Sequence, residues 1–115
     1  MLIKFSKNQR FLKIELSDQF DYDSFIEFVK LLGTKDSANI LIDATKLQNT
    51  SLSYKERFDI GNIAVELLNK NAKYVVVWPF SDINYFTISI MKLHDFNIRV
   101  FAKKYKAKQW LLNKD

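Results

Sequence analysis

The hydrophobic pattern along the chain changes period several times, and each change marks an element. Residues 2–6 alternate weakly, and residues 10–16 alternate through Phe11, Leu12, Lys13, Ile14, Glu15 and Leu16. With Lys7-Asn8-Gln9 between them, these segments predict an antiparallel hairpin with one half-exposed face. A helical spacing follows in Tyr22, Phe25, Val29 and Leu32, with Phe28 on the same side. Asp21 or Asp23 is placed to cap its start, and Gly33 to close it in the left-handed conformation.

Three short, continuous apolar runs come next: Asn39-Ile40-Leu41-Ile42-Asp43-Ala44, Tyr74-Val75-Val76-Val77-Trp78-Pro79 and Ile98-Arg99-Val100-Phe101. Runs of this length suit central strands covered on both faces. Helical stretches separate and follow them. Ser53 and Glu56 form a capping box that opens a helix running to about residue 69. A third helix is expected over roughly 83–94, with Asn97 available to end it, and a fourth over roughly 104–112. The order β-β-α-β-α-β-α-β-α predicts an α/β fold, with a mixed, mostly parallel five-stranded sheet and four helices. No linker, repeat or low-complexity tract interrupts it, so residues 1–115 read as a single domain.

That order of elements resembles the STAS superfamily, which includes the anti-sigma-factor antagonists. The resemblance rests on the N-terminal hairpin, on Ile40-Leu41-Ile42-Asp43 closing a central strand, and on the long second helix. The ending Arg99-Val100-Phe101, then Ala107-Lys108-Gln109-Trp110-Leu111, is similar to that of the sporulation-stage-II-AA-like subgroup, often described together with lipid-binding SEC14 domains. It implies a regulatory or binding module that works through protein contacts, and is not an enzyme. The SEC14 part implies instead a carrier or sensor of a small apolar or lipid-like ligand. Phosphorylatable STAS proteins carry an Asp-Ser-Ser-Gly-type turn before the second helix. Here the region reads Gln48-Asn49-Thr50-Ser51-Leu52-Ser53, so Ser51 and Ser53 are only the nearest candidates for phosphorylation.

The second helix carries more apolar positions than one sheet face needs. Tyr54, Phe58, Gly61, Val65 and Leu68 form one stripe, which we assign to the core; Ile60, Ala64 and Leu67 form another, with Ile63 further round. Ile60, Ile63 and Leu67 are therefore the candidate interaction surface, possible in a homodimer or with another protein. Tyr85 and Ile88 on the third helix are expected to face away from the core. Asp43 ends a central strand, where open α/β sheets place ligands, and Trp78-Pro79-Phe80 ends another. Asp43, Trp78 and Phe80 are thus the candidate mouth of a pocket for a small apolar molecule.

Other chemistry finds little footing. There is no cysteine, and His94, expected on the core side of its helix, is the only histidine; no metal site or cofactor is expected. No phosphate-binding glycine loop and no nucleophile elbow occurs, and no catalytic residue is assigned. A receiver-type role for Asp43 lacks the acidic pair such chemistry needs. The net charge of +5 comes entirely from residues 99–115, which hold six Lys/Arg against Asp115; residues 1–98 hold twelve of each sign. We read this as a solvated helix face and not as a nucleic-acid site. The start lacks a signal peptide's apolar run, and no stretch approaches the roughly 20 apolar residues of a membrane span, so the expected location is the cytoplasm.

Overall fold

The computed structural model describes residues 1–79 and 85–113. Its elements are β1 (Leu2–Lys7), β2 (Leu12–Gln19), α1 (Tyr22–Leu32), β3 (Asn39–Gln48), α2 (Tyr54–Leu67), β4 (Lys73–Val77), α3 (Tyr85–Leu93), β5 (Asn97–Phe101) and α4 (Lys104–Leu112). The sheet has the order β1-β2-β3-β4-β5. β1 pairs with β2 antiparallel, and the other neighbours are parallel. The expected mixed α/β architecture is the one observed.

The strand order decides where the helices lie. Each parallel strand is added on the same side of the last, and right-handed crossovers then put every connecting helix on one face. Accordingly α1, α2 and α3 cover one face, where Phe28, Val29, Ala64, Ile88 and Met91 pack on Ile14, Leu16, Ile42 and Tyr74. Among the described helices, only α4, which follows the last strand, reaches the other face. Its Ala107 and Leu111 pack on Leu41, Val75 and Val77, as their spacing predicts.

Local signals act where they are read. Asp21 caps α1: its carboxylate accepts from the Ser24 amide at 2.9 Å. Ser53 Oγ accepts from the Glu56 amide at 3.1 Å and Glu56 Oε1 from the Ser53 amide at 2.9 Å, completing the capping box. Asp95, not Asn97, ends α3. It takes the left-handed conformation at φ 67°, and the Phe96 amide bonds back to Met91 O at 3.1 Å while Phe96 buries its ring. Asn97 instead opens β5.

Gly33 differs from expectation. It is right-handed, at φ −61° and ψ −19°. Its glycine is required by a close approach: a Cβ there would stand 2.6 Å from the Leu67 carbonyl oxygen at the end of α2. A bulge adjusts β3. Glu15 faces Asp43 but Ser17 faces Lys46, so β3 carries one extra residue. Thr45 and Lys46 are consequently both exposed, and Leu47 returns to the core.

Candidate functional site

Alternation along the three central strands builds a cavity wall. Ile42 of β3, Tyr74 and Val76 of β4, Trp78 just beyond it, and Ile98 and Val100 of β5 share the three-helix face. They enclose, with side chains of α1, α2 and α3, a partly open cavity of about 80 Å³. The helices contribute Phe25 and Val29, Ile60 and Ala64, and Ile88 and Met91.

Trp78 is 5% exposed and lines this cavity. Two rings hold it edge-on: Phe20 at 6.5 Å and Phe25 at 6.1 Å between centroids. Its backbone amide donates to Phe101 O at 3.1 Å, which fixes the start of the segment beyond β4. Its indole Nε1–H, in contrast, is buried without an acceptor among the described residues. Tyr74, below it on the same wall, donates its hydroxyl to Asn69 O at 2.9 Å. Burial pushes the Tyr74 phenol pKa up, so it stays a neutral donor.

Asp43 belongs to a different place. It was expected to share a mouth with Trp78, but its register partner is Val77, one residue earlier, so the two side chains leave opposite faces of the sheet. Asp43 is buried on the α4 side. Its Oδ1 accepts from the Thr45 hydroxyl at 2.7 Å and the Thr45 amide at 3.1 Å, and its Oδ2 lies 3.5 Å from Lys104 Nζ. Burial alone would push its carboxyl up; the Thr45 bonds and the Lys104 charge outweigh that and hold it below its ordinary value. Glu15 bridges Lys46 at 2.9 Å and Lys13 at 3.7 Å on the same face. This is a self-satisfied charge network. Phe80, the third proposed mouth residue, lies outside the described residues.

The residues expected to form an interaction surface are mostly covered. Ile60 is only 5% exposed and lines the cavity, and Ile63 is half-buried against the core, so neither is a free surface; Leu67 is exposed. Tyr54 and Phe58, expected in the core, are 76% and 51% exposed. The helix is turned because Gly61 lies against Ile90 of α3, where a Cβ would meet its side chain at 3.0 Å. Tyr54 stacks edge-on with exposed Phe86 of α3 at 5.8 Å, and the Arg57 guanidinium lies 5.7 Å from the Tyr54 ring. Ile88, expected to face out, is buried on the cavity. His94 is exposed, with Nδ1 3.0 Å from Ile90 O. Ser51 and Ser53 are both exposed, and Ser53 is engaged as the cap of α2.

Part of the basic C-terminal charge is structural. Lys104 pairs with Asp43, and Arg99 lies 5.6 Å from the Trp110 ring. Lys73 of β4 sits over the same ring at 4.5 Å and donates to Trp110 O at 2.8 Å and Asn113 O at 3.0 Å. It supplies the cation that the last turn of α4 lacks. Among the described residues, no three His, Cys, Asp or Glu side chains are grouped to hold a metal ion, and no helix is long and apolar enough to cross a membrane.

No protein-family model matches the sequence, and no curated protein is similar to it. Among solved structures, the chain is similar to an uncharacterized protein of the DUF3478 family with a SpoIIAA-like fold from Shewanella loihica PV-4. The match has 18% identity and a TM-score of 0.57, and covers 96% of this chain and 92% of that one. The likeness is one of fold: this chain has the SpoIIAA-like, STAS-type fold that its element order resembles.

Proposed function

We propose that this chain is a non-catalytic binding module that takes a small apolar molecule between its sheet and the three helices on one face. The apolar cavity beside Trp78 carries this reading. At about 24 cal/mol per Å³, an unfilled 80 Å³ space costs about 2 kcal/mol. Dense interiors seldom keep such a void, and an occupant would recover that loss. Native mass spectrometry of protein purified without refolding tests it, together with Ala64→Leu, which fills the space. A reproducible added mass on the parent chain, absent from the variant, supports the reading. No added mass, and no shift in thermal midpoint with any apolar probe, would overturn it.

A second reading is supported by a separate observation. Tyr54, Phe58 and Phe86 expose a continuous aromatic surface across α2 and α3, of the kind that anchors protein contacts. In this reading two copies meet there. Analytical ultracentrifugation of the parent chain should then give a dimer, and the double variant Tyr54→Ser, Phe58→Ser a folded monomer. A parent chain that stays monomeric at its highest soluble concentration excludes self-association.

A further inference from the structure

On the face of the sheet away from the cavity, β5 and α4 bound an open groove of about 360 Å³. Its floor is Phe101 and Trp110, whose rings lie 6.4 Å apart between centroids. Arg99, Lys106, Gln109 and Asn113 also line it, and no acidic side chain does among the described residues. The Arg99 guanidinium lies 5.6 Å from the Trp110 ring. Neither Arg99 nor Lys106 belongs to an ion pair among the described residues. Lys104, in contrast, pairs with Asp43, and Lys73 donates to the end of α4. The groove therefore offers two exposed cations beside an aromatic floor.

β5 is also an end strand, and no described strand pairs with its outer edge. Phe101 O accepts the Trp78 amide on the β4 side. Alternate residues of a strand bond to the same neighbour, so the backbone groups of Arg99 and Phe101 face β4 and those of Ile98 and Val100 face outward. We propose that this edge and groove take an extended acidic peptide of a partner protein, added as a strand beside β5. Charge complementarity selects the acid: the groove holds cations without carboxylates, and an arginine binds a carboxylate through two parallel hydrogen bonds. Alternation sets the peptide's pattern, because every second side chain of an added strand lies over the α4 face. A carboxylate opposite Arg99 is then followed two positions on by an apolar side chain opposite Phe101. In strand addition of this kind, backbone bonds give affinity and alternate side chains give specificity.

The probe is the peptide Ser-Glu-Thr-Val-Thr-Glu-Ser, fluorescein-labelled at its N-terminus and amidated, which puts Glu and Val on one face in either strand direction. Fluorescence anisotropy with the full chain measures its affinity, and amide exchange followed by NMR reads the β5 edge. Two controls accompany it. Ser-Glu-Val-Thr-Thr-Glu-Ser has the same composition with Val moved to the other face, and a short oligothymidylate of equal charge carries the anion alone. The expected result is that the parent chain prefers the probe to both controls and that the Val100 amide exchanges more slowly in the complex. Arg99→Glu and Lys106→Glu should each weaken binding about tenfold or more, since each replaces a charge-assisted contact by a repulsion. Equal binding of the rearranged peptide or of the oligothymidylate overturns the proposal, because a general attraction of anions then explains it. Absence of saturable binding overturns it as well. So does binding that leaves Val100 exchange unchanged, since the peptide is then not laid along β5, or binding that both substitutions leave intact. Where Arg99→Glu fails to fold, Lys106→Glu, at an exposed position of α4, decides.

Discussion

The Lys104 ammonium stands 3.5 Å from Asp43 Oδ2, so the first residue of α4 is tied to β3, two strands away from β5. The pair closes α4 over the Leu41, Val75 and Val77 surface. Thr45 satisfies the other carboxylate oxygen through hydroxyl and amide, so Asp43 is buried with both oxygens engaged.

This arrangement gives a pH signature. The Asp43 carboxyl is held below its ordinary value of 3.8 in the folded chain. A depressed folded value means that its stabilisation is complete above the unfolded value and is lost as pH falls through the folded one. Asp43→Asn should therefore be less stable than the parent chain near neutrality, with a gap that narrows below about pH 4. Urea unfolding at stepped pH measures it. A gap that stays constant down to about pH 2 would show that the carboxylate charge contributes nothing.

Gly33 makes a steric prediction with an unusual sign. At a right-handed position, Gly→Ala ordinarily stabilises by roughly 0.4–1 kcal/mol through the unfolded state. Here the new methyl group would press on the Leu67 backbone carbonyl, which no rotamer change relieves. Gly33→Ala should instead cost about 1–3 kcal/mol as α1 and α2 are forced apart. Denaturant unfolding decides between the two signs.

How much of this was legible beforehand depends on the range of each signal. The capping box at Ser53 and the span of α4 are local and stand where the sequence places them, and the cap of α1 is Asp21, one of the two aspartates the sequence offers. Side-chain destinations depend on neighbours. A helical wheel separates two apolar arcs on α2, and the Tyr54 and Phe58 arc is the one assigned to the core; the structure instead turns the Ile60 and Ala64 arc inward, with Gly61 packed on Ile90. Asp43 and Trp78 both lie near strand ends in sequence. Only the register, Asp43 against Val77, shows that they point apart. The cavity had no sequence signal beyond Trp78, because its volume is set by the distances among three helices.

The capping box makes a third prediction. Ser53→Ala removes the acceptor of the Glu56 amide and should cost about 1 kcal/mol. Ser53→Asp should stay close to the parent chain, because aspartate caps equally well. Glu56→Ala removes the reciprocal bond, and the double variant should lose less than the sum of the two, since both changes break one paired device. Additive losses in thermal or denaturant unfolding would mean that the two bonds act independently.

The two arcs of α2 should separate by what their loss does. Ile60 is buried beside Ala64 and Ile88, so Ile60→Ala should cost about 2–5 kcal/mol, and Ile60→Asp, which buries a charge with no partner, should prevent stable folding. Tyr54 lies on the outer arc. Tyr54→Ser should change stability by about 0.5 kcal/mol or less, because the side chain it removes is already mostly in water. The same pair of substitutions separates association from folding: a Tyr54 variant that dissociates a complex while keeping its circular dichroism and unfolding midpoint assigns the outer arc to binding. Should Ile60→Asp fold normally and Tyr54→Ser unfold, the helix would be turned the other way, with the Tyr54 and Phe58 stripe inward. The cavity wall and the exposed aromatic surface would then both be wrong, so unfolding of these two variants by urea tests the placement on which both functional readings stand.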